Sequence, residues 1–261
     1  MAPVSLRSVI SGSGAYDCIH MRIAVISDIH SNMESFTMVL KDADSSFVDA
    51  MVCLGDVIGY GPEPNEAIRL IRERNIPTVM GNHELGVAEC DYMDHLNPIA
   101  CKSLQMTIEM LSEESLSFVT GLEHFLVSHD SRFVHGCPPD SPTIYMFDIS
   151  NVKMKNIFGQ YKERLCFTGH THNPEIVEFD GDFVVRSLLK KGVTSLGKDK
   201  RYIINAGSVG QPRDGNNRAK YVIWDTANDS IELKHISYDI ESVANKILKA
   251  GLPSINATRL M

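Results

Sequence analysis

The chain has 261 residues, of which 43% are hydrophobic and 22% charged, a balance that excludes disorder and fibres and suits one large domain or two small ones. Its formal net charge of −8 repels polyanions on average, which argues against a nucleic-acid coat protein and against nucleic-acid partners. No run approaches the roughly 18 apolar residues of a membrane helix. The six cysteines stand singly, without a CxxC pair, so we expect a cytoplasmic protein with no membrane partner.

The N-terminal segment sets the first predicted domain limit. Residues 1–20 hold one arginine and a short apolar patch interrupted by serine and glycine, without the apolar core of roughly 7–15 residues that a secretory signal needs. Met21 then opens the run Met-Arg-Ile-Ala-Val-Ile, which has the pattern of a buried strand. We therefore expect residues 1–20 to be a poorly ordered extension, residues 21–250 to form a single domain, and residues 251–261 to be a C-terminal tail.

The predicted elements follow in chain order. Six short apolar segments each run directly into a turn that contains Gly, Asp, Asn or His, at residues 23–27, 50–54, 78–80, 133–135, 165–168 and 202–205. Helical patterns occupy residues 33–43, 65–74, 98–122 and 240–249. Further strands are predicted at residues 175–179, 183–188, 221–224 and 231–236. The charged stretch 190–200 is predicted to be a mobile surface loop.

This order of elements predicts the fold class. Strands alternate with helices early in the chain, which favours parallel βαβ units, and strands follow one another later, which favours antiparallel pairing. No internal repeat or Pro/Ser-rich linker marks a second domain. We therefore predict an α/β fold in which two mixed β-sheets pack as a sandwich with helices on both outer faces (αββα).

Histidine, aspartate and asparagine gather in the turns that follow five of the predicted strands. These turns read Asp28-Ile29-His30, Gly55-Asp56, Gly81-Asn82-His83-Glu84, His135-Gly136 and Gly169-His170-Thr171-His172. In open α/β sheets, ligands collect at the carboxyl ends of strands, so residues far apart in sequence can meet there. A functional site is expected where these five turns converge.

The side chains in these turns are those that bind transition metals. Carboxylate, neutral imidazole and amide oxygen suit Mn, Fe, Zn or Ni, whereas Ca prefers oxygen ligands alone. Two such ions about 3.5–4 Å apart can generate hydroxide and clamp both the attacking and the leaving oxygens of a phosphoryl group, and a carboxylate can bridge them. The local positive charge of such a centre would attract an anionic phosphate even to an acidic protein.

With these five motifs in this order, the sequence resembles the calcineurin-like metallophosphoesterases. The resemblance covers about residues 21–225. The sequences of residues 52–65 and 205–215 are similar to those of the bacterial and archaeal single-domain phosphodiesterase branch of the family. One such motif is weak evidence, whereas five in order are not a chance pattern. The αββα sandwich predicted above is the fold that this resemblance implies.

The resemblance also implies a role for each residue of the motifs. Asp28, His30 and His172 would hold one metal ion, whereas the other would be held by Asn82, His135 and His170. Asp56 would bridge the two ions. His83 would stay unligated and face the scissile phosphate, where it could stabilise the transition state or protonate the leaving oxygen. Glu84 follows in the same turn and could orient His83.

Three positions bear on the substrate. The protein-phosphatase branch continues after the Gly-Asp motif to Asp-Arg-Gly, whereas this chain reads Val-Ile-Gly-Tyr-Gly, which argues against phosphoprotein substrates. Arg213 would give a bidentate phosphate contact if its loop folds over the site, and a surface ion pair with Asp214 or another acid is the alternative. Tyr60 would stack a nucleobase or sugar, and ordinary turn chemistry before Gly-Pro is the alternative.

The sequence thus predicts a binuclear metal-dependent phosphoesterase that hydrolyses small phosphodiesters through a metal-bridging hydroxide. Dinucleoside polyphosphates and phosphomonoesters remain open as substrates of the same mechanism. Two further readings also stay open, a scaffold protein on the same fold and a nuclease-like relative. Of the divalent ions, Mn²⁺ is favoured, with Fe, Ni and Zn open, and the sequence leaves the oligomeric state open.

Overall fold

The protein is described by a computed structural model covering residues 20–261, apart from the side chain of Cys90. Except for His20, the extension predicted over residues 1–20 lies outside the described residues. Among the helices of the described part, none has both the length and the apolar character needed to cross a bilayer.

The secondary structure of the described part alternates strands and helices first and is strand-rich later. The strands are β1 (Arg22–Ile26), β2 (Ala50–Cys53), β3 (Phe125–Ser128), β4 (Ser131–Val134), β5 (Leu165–Thr168), β6 (Glu175–Phe179), β7 (Val184–Leu188), β8 (Gly192–Ser195), β9 (Arg201–Asn205), β10 (Ala219–Asp225) and β11 (Ser230–Ile236). The helices are α1 (Met33–Ser45), α2 (Pro64–Glu73), α3 (Asn82–Ala88), α4 (Pro98–Met110), α5 (Glu113–Thr120), α6 (Asn151–Phe158), α7 (Ile240–Lys249) and α8 (Ser254–Thr258).

Two mixed sheets form the centre of the molecule. The first has four strands in the order β11-β10-β1-β2, with β1 parallel to β2 and antiparallel to β10. The second has six strands in the order β3-β4-β5-β9-β6-β7, with β4, β5 and β9 parallel. Side chains alternate across each strand, so Ile23 and Val25 of β1 face the second sheet. Between the sheets, the rings of Phe167 and Trp224 lie 5.4 Å apart.

Helices cover the outer face of each sheet. The other side chains of β1, Ala24 and Ile26, pack in a cluster with buried residues of α1 and α2. On the far side, α6 inserts Met154 and Phe158 against Ile203 of β9. The predicted αββα sandwich of two mixed sheets is therefore confirmed.

Two predicted elements differ from the observed ones. Residues 78–80 do not form a strand of either sheet and make only isolated bridges, at Thr78 and Val79. The helix predicted over residues 98–122 is interrupted at Leu111 and Ser112, whose backbones are extended. Ser112 is the reason for the interruption, because its side chain accepts a hydrogen bond from the backbone of Ser115 and so caps α5.

The stretch predicted as a surface loop, residues 190–200, contains a strand instead. β8 lies within it and contacts β11, and the bridge between Lys191 and Leu233 joins the two segments. The side chains of β8 alternate between exposed and half-buried, so its apolar signal is weak. At the C-terminus, α8 packs against α7 through Leu252, Ala257 and Leu260.

The parallel strands determine where the polar turns lie. β1 and β2 end at the same edge of the first sheet, and β4, β5 and β9 end at the same edge of the second. The two edges are joined by a hydrogen bond from the backbone N–H of His170 to Asp28 Oδ2, at 3.1 Å. The turns of both sheets therefore meet at one end of the sandwich.

Candidate metal centre

The structure brings the seven predicted metal ligands together at this end of the sandwich. Each stands just beyond a strand or at the start of a helix: Asp28 and His30 after β1, Asp56 after β2, Asn82 at the start of α3, His135 after β4, and His170 and His172 after β5. All seven side chains are buried.

The ligand atoms form two groups that share one carboxylate. Asp28, His30, Asp56 and His172 form the first, and Asp56, His135 and His170 the second, with the ligand atoms of each group within 4.8 Å of one another. In the first group His172 Nε2 lies 3.2 Å from Asp28 Oδ1. In the second, His135 Nε2 lies 3.2 Å from both Asp56 Oδ2 and Asn82 Oδ1. Asp56 is thus the one residue common to both groups that could hold a metal ion.

Backbone carbonyls orient the imidazole rings. The Nδ1 atoms of His30 and His135 lie 3.0 Å from Ile58 O and 2.8 Å from Leu54 O. Because a carbonyl only accepts hydrogen bonds, each of these Nδ1 atoms carries a proton, and each Nε2 faces the cluster. His170 is turned round, with its Nε2 3.1 Å from Thr143 O, so that Nδ1 faces the cluster.

This arrangement places electron pairs against one another. His30 Nε2 and His172 Nε2 lie 3.2 Å apart, and the Nδ1 of each ring also faces a backbone carbonyl. Asp28 Oδ1 is a buried carboxylate oxygen without a hydrogen-bond donor among the described residues. Lone pairs so close together need a positive charge between them. The side chains present therefore fit divalent metal ions.

The two aspartates remain ionised in spite of their burial. Burial raises the pKa of Asp28, but the imidazoles of His172 and His135 have the larger combined effect and hold that pKa below its usual range. In the same way, His135 and His83 outweigh burial and keep the pKa of Asp56 low. Burial lowers the pKa of His170 to about 3, so this ring stays neutral and can act as a ligand.

Several of the ligands have backbone conformations that non-glycine residues rarely adopt. The φ angles of Asp28, His30, Asp56, His170 and His172 lie between 49° and 64°. Such conformations cost on the order of 1–3 kcal/mol each and persist only where the surroundings hold them. Here hydrogen bonds between the two turns do so, from Asp28 N to Gly55 O and from His30 N to Asp56 O.

His83 lies beside both groups and belongs to neither. Its backbone N–H donates to Asp56 Oδ1 at 2.9 Å, and its ring packs 4.9 Å from the ring of His30. The side chain is buried, and its Nδ1 has no hydrogen-bond partner among the described residues. Burial lowers its pKa. His83 therefore lies next to both ligand groups without contributing an atom to either.

Glu84 does not orient His83 as the sequence suggested. Its carboxylate accepts hydrogen bonds from the backbone N–H groups of Gly81, Asp56, Val57 and Ile58. Burial, followed by the negative charge of Asp56, raises the pKa of Glu84 to about 7. The contacts show that Glu84 ties the turn carrying Asp56 to the turn carrying Asn82, and so positions a metal ligand.

The two residues considered for substrate contacts lie together. The Tyr60 ring packs 4.7 Å from the rings of both His30 and His83. Arg213 Cζ lies 5.9 Å from the centre of the Tyr60 ring. Arg213 makes no ion pair with Asp214, because Asp214 pairs with Lys220 instead. The expectation of a surface ion pair between Arg213 and Asp214 is therefore wrong.

The sequence interpretation missed an aromatic stack against the second group. Tyr145 lies flat on the ring of His170, with 3.7 Å between ring centres, and the exposed Phe147 stacks on Tyr145 at 4.9 Å. No motif surrounds these residues: Tyr145 directly precedes a short 3₁₀ turn at Met146–Asp148, and Phe147 lies within it. The sequence therefore carries no signal that could have placed them at the site.

Comparison with known proteins agrees with this geometry. Residues 21–229 match the model of the calcineurin-like phosphoesterase superfamily domain. The chain is 38% identical over 242 residues to an uncharacterized protein of Methanocaldococcus jannaschii, covering 91% of this chain and 96% of that protein. A solved structure of a metallophosphoesterase from Sphaerobacter thermophilus is 34% identical, with a TM-score of 0.79 and coverage of 92% of this chain and 98% of that one.

A second solved structure supports the fold alone. A protein from Pyrococcus horikoshii OT3 superposes with a TM-score of 0.74 over 92% of this chain and 97% of that one, at 18% identity. The family match spans every strand except β11, and every turn that carries a predicted ligand. The chain belongs to the calcineurin-like phosphoesterase superfamily.

Proposed function

We propose that the protein is a cytoplasmic, binuclear metal-dependent phosphodiesterase that hydrolyses small phosphoesters. The observation that carries this proposal is the position of Asp56, whose carboxylate belongs to two groups of ligand atoms at once. Asp28, His30 and His172 would hold one ion together with Asp56. Asn82, His135 and His170 would hold the other, and Mn²⁺ is the favoured ion.

The other residues at the site would bind the substrate and assist the departure of the leaving group. When bound, two divalent ions supply Lewis acidity, which neutralises phosphate charge and lowers the pKa of water. His83 would direct a ring nitrogen at the phosphoryl group or the leaving oxygen, because it adjoins both ligand groups without belonging to either. Tyr60 and Arg213 would border the substrate on the side of His83. The complete ligand set argues against a scaffold that has lost catalysis.

The test is hydrolysis of bis(p-nitrophenyl) phosphate with Mn²⁺, Fe²⁺, Ni²⁺ and Zn²⁺ in parallel, together with the metal content. Asp56→Asn should lower turnover by more than the roughly 10- to 100-fold typical of residues that only support metal ligands, and should weaken binding of both ions. The exposed Asp199, which forms no ion pair among the described residues, provides the control Asp199→Asn. Wild-type turnover with two bound ions in Asp56→Asn would overturn the proposal.

A further inference from the structure

A pocket of about 820 Å³ opens beside the metal centre and is lined by three arginines. Arg213 and Arg218 lie on the loop between β9 and β10, and Arg259 directly follows α8. Asn216 and Asn217 add amide groups to the wall. The volume is in the usual range for small-molecule sites, roughly 300–1,000 Å³.

None of these three guanidinium groups has a carboxylate within 4.0 Å among the described residues. Arg213 donates a hydrogen bond to the amide oxygen of Gln211 at 3.0 Å, a neutral partner. The other arginines of residues 20–261 are bound by carbonyls or by carboxylates. Arg201 donates to the backbone carbonyls of Phe158, Tyr161 and Glu163. The rest form ion pairs, namely Arg22, Arg69, Arg72, Arg74, Arg132, Arg164 and Arg186. In a chain of net charge −8, the described arginines that lack an acidic partner are therefore Arg201, whose guanidinium is occupied by backbone carbonyls, and the three that line this pocket.

The loop that carries two of these arginines is held by a buried charge. Lys220 is 0% exposed, and its Nζ donates to Asp214 Oδ1 at 2.6 Å and to the carbonyl of Asn216. Asp214 is therefore neutralised by Lys220 of β10 and does not pair with Arg213 or Arg218. Because Lys220 fixes this loop through Asp214 and Asn216, Arg213 and Arg218 are held in place without a carboxylate to neutralise them.

Arg213 connects the pocket to the candidate metal centre. The backbone N–H of Arg213 lies 3.4 Å from the carbonyl of His172, a predicted metal ligand. Asn256 of α8 donates to the carbonyl of Tyr60 at 3.1 Å, which brings Arg259 to the same side. Arg213 Cζ also lies 5.9 Å from the centre of the Tyr60 ring, which packs against His30.

We propose that this pocket binds a second, non-scissile phosphate of the substrate. The inference rests on the proposed phosphoesterase function and narrows it to compounds in which another phosphate adjoins the one that is cleaved. Guanidinium groups bind phosphate oxygens in pairs of parallel hydrogen bonds, and the amides of Asn216 and Asn217 add neutral donors. Nucleoside diphosphates and inorganic polyphosphates share this chemistry.

The test compares ADP with AMP, which differ by one phosphate, on the Arg218→Gln/Arg259→Gln double variant. Both nucleotides are measured as competitive inhibitors of bis(p-nitrophenyl) phosphate hydrolysis by the Mn²⁺-loaded enzyme. They are also measured by calorimetry on the chelated full-length protein, with pyrophosphate as a third probe. We expect wild type to bind ADP at least about tenfold more tightly than AMP, and the double variant to lose most of that ratio.

A matched control removes two charges elsewhere. Lys153 and Lys162 are exposed, form no ion pair among the described residues and do not line the pocket. Lys153→Gln/Lys162→Gln should keep the wild-type ratio, and equal thermal midpoints would show that both double variants are folded. Pyrophosphate binding as tight as that of ADP would assign the contact to the phosphates alone, and tighter ADP binding would add the nucleoside; both support the pocket.

Two results would overturn the inference: equal ADP-to-AMP ratios in wild type and the arginine variant, or an equal loss in the lysine control. A failure of the proposed function gives a different pattern. If the protein shows no hydrolysis but its chelated form still binds ADP more tightly than AMP through Arg218 and Arg259, the phosphate pocket is supported and the hydrolase proposal is contradicted. If the protein hydrolyses the substrate but its ADP-to-AMP ratio does not change in the arginine variant, the hydrolase proposal is supported and the phosphate pocket is contradicted.

Discussion

The His83 ring lies directly against Gly59, in the position that a side chain at residue 59 would fill: a Cβ atom on Gly59 would lie 2.1 Å from His83 Nδ1. The backbone of Gly59 has φ +87°, which L side chains rarely adopt. The imidazole can therefore sit between the two ligand groups and the Tyr60 ring only because position 59 has no side chain.

Gly59→Ala should consequently displace the His83 ring. Because misplacement of a reacting group by about 1 Å can cost about 10²-fold in rate, we expect turnover of bis(p-nitrophenyl) phosphate to fall by about that factor. The metal content should remain that of wild type, since no ligand moves directly. Turnover and metal stoichiometry measured on one preparation check both statements.

Gly181→Ala is the control for backbone strain. Gly181 has φ +105°, but an added Cβ meets nothing within 4 Å. This variant carries the conformational cost without the clash, so its turnover should match wild type. If the two alanine variants lose activity equally, strain and not the position of His83 explains the effect.

His83→Ala should separate catalysis from metal binding. Removal of a positioned acid–base group typically costs about 10²- to 10⁴-fold in rate, and we expect kcat to fall within that range. The structure places His83 outside both ligand groups, so two ions should remain bound. Metal analysis decides the outcome, because loss of an ion in His83→Ala would make this residue a ligand.

Glu84→Gln should destabilise the fold around the bridging aspartate. An amide of the same size cannot accept all the backbone hydrogen bonds that the Glu84 carboxylate accepts, and its NH₂ group would face N–H donors. We expect the free energy of unfolding in urea to fall by about 2–3 kcal/mol. Glu109→Gln, at an exposed position without an ion pair among the described residues, should leave it within about 0.5 kcal/mol. Equal stability of the two variants would contradict this role.

Tyr221→Phe tests the contact between β10 and α1. The Tyr221 hydroxyl donates to Asp42 Oδ2 at 2.6 Å, and Lys234 still pairs with Asp42 when the hydroxyl is removed. The loss should be about 1.5 kcal/mol in the free energy of unfolding near pH 7. Chemical denaturation of both proteins measures it.

The same pair predicts a pH dependence. Burial, and then the hydrogen bond to Asp42, raise the pKa of Tyr221 above its ordinary value of 10.0. The folded state therefore holds this proton more tightly than the unfolded chain, so the contribution is complete below pH 10 and is lost as the pH rises above it. The stability difference between wild type and Tyr221→Phe should shrink above pH 10. A constant difference through that range would refute the assignment.

Mn²⁺ should stabilise the protein against unfolding. A cation that binds only the folded state at about 100 times its Kd adds about 2.7 kcal/mol per site to the free energy of unfolding. Ca²⁺, which prefers oxygen ligands, should stabilise less, because most ligands here are imidazoles. Thermal midpoints with each ion, and after chelation, give the comparison. The same Mn²⁺ increment in Asp56→Asn would show that the ion binds elsewhere.

The sequence predicted which side chains meet at the candidate metal centre because each lies in a short turn with its own local pattern, and the ends of parallel strands bring such turns together. Asp28 and His172 illustrate the limit of that reasoning. Their 3.2 Å contact joins the two sheets, and no local pattern sets such a distance. The end of α4 was missed because Leu111 continues the apolar pattern, and only the cap formed by Ser112 marks the break.

The arginine pocket lay beyond sequence reasoning for a related reason. Asn256 of α8 donates hydrogen bonds to the Tyr60 carbonyl and to Ser103. Arg259 directly follows α8, so these bonds bring it to the side of Tyr60. Its place depends on the docking of a short C-terminal helix against distant segments. Tyr145 likewise meets His170 through the path of a loop whose residues carry no motif.

The four-stranded sheet supplies Asp28, His30 and Asp56 to the metal centre, and the six-stranded sheet supplies His135, His170 and His172. Each group of ligands therefore draws on both halves of the sandwich. A cation bound by either group would link the two sheets, since any sliding of one sheet over the other would pull its ligands apart. Binding of ions at these groups would therefore stabilise the packing of the two sheets, and hydrogen exchange in β1 and β5 should slow together when ions bind.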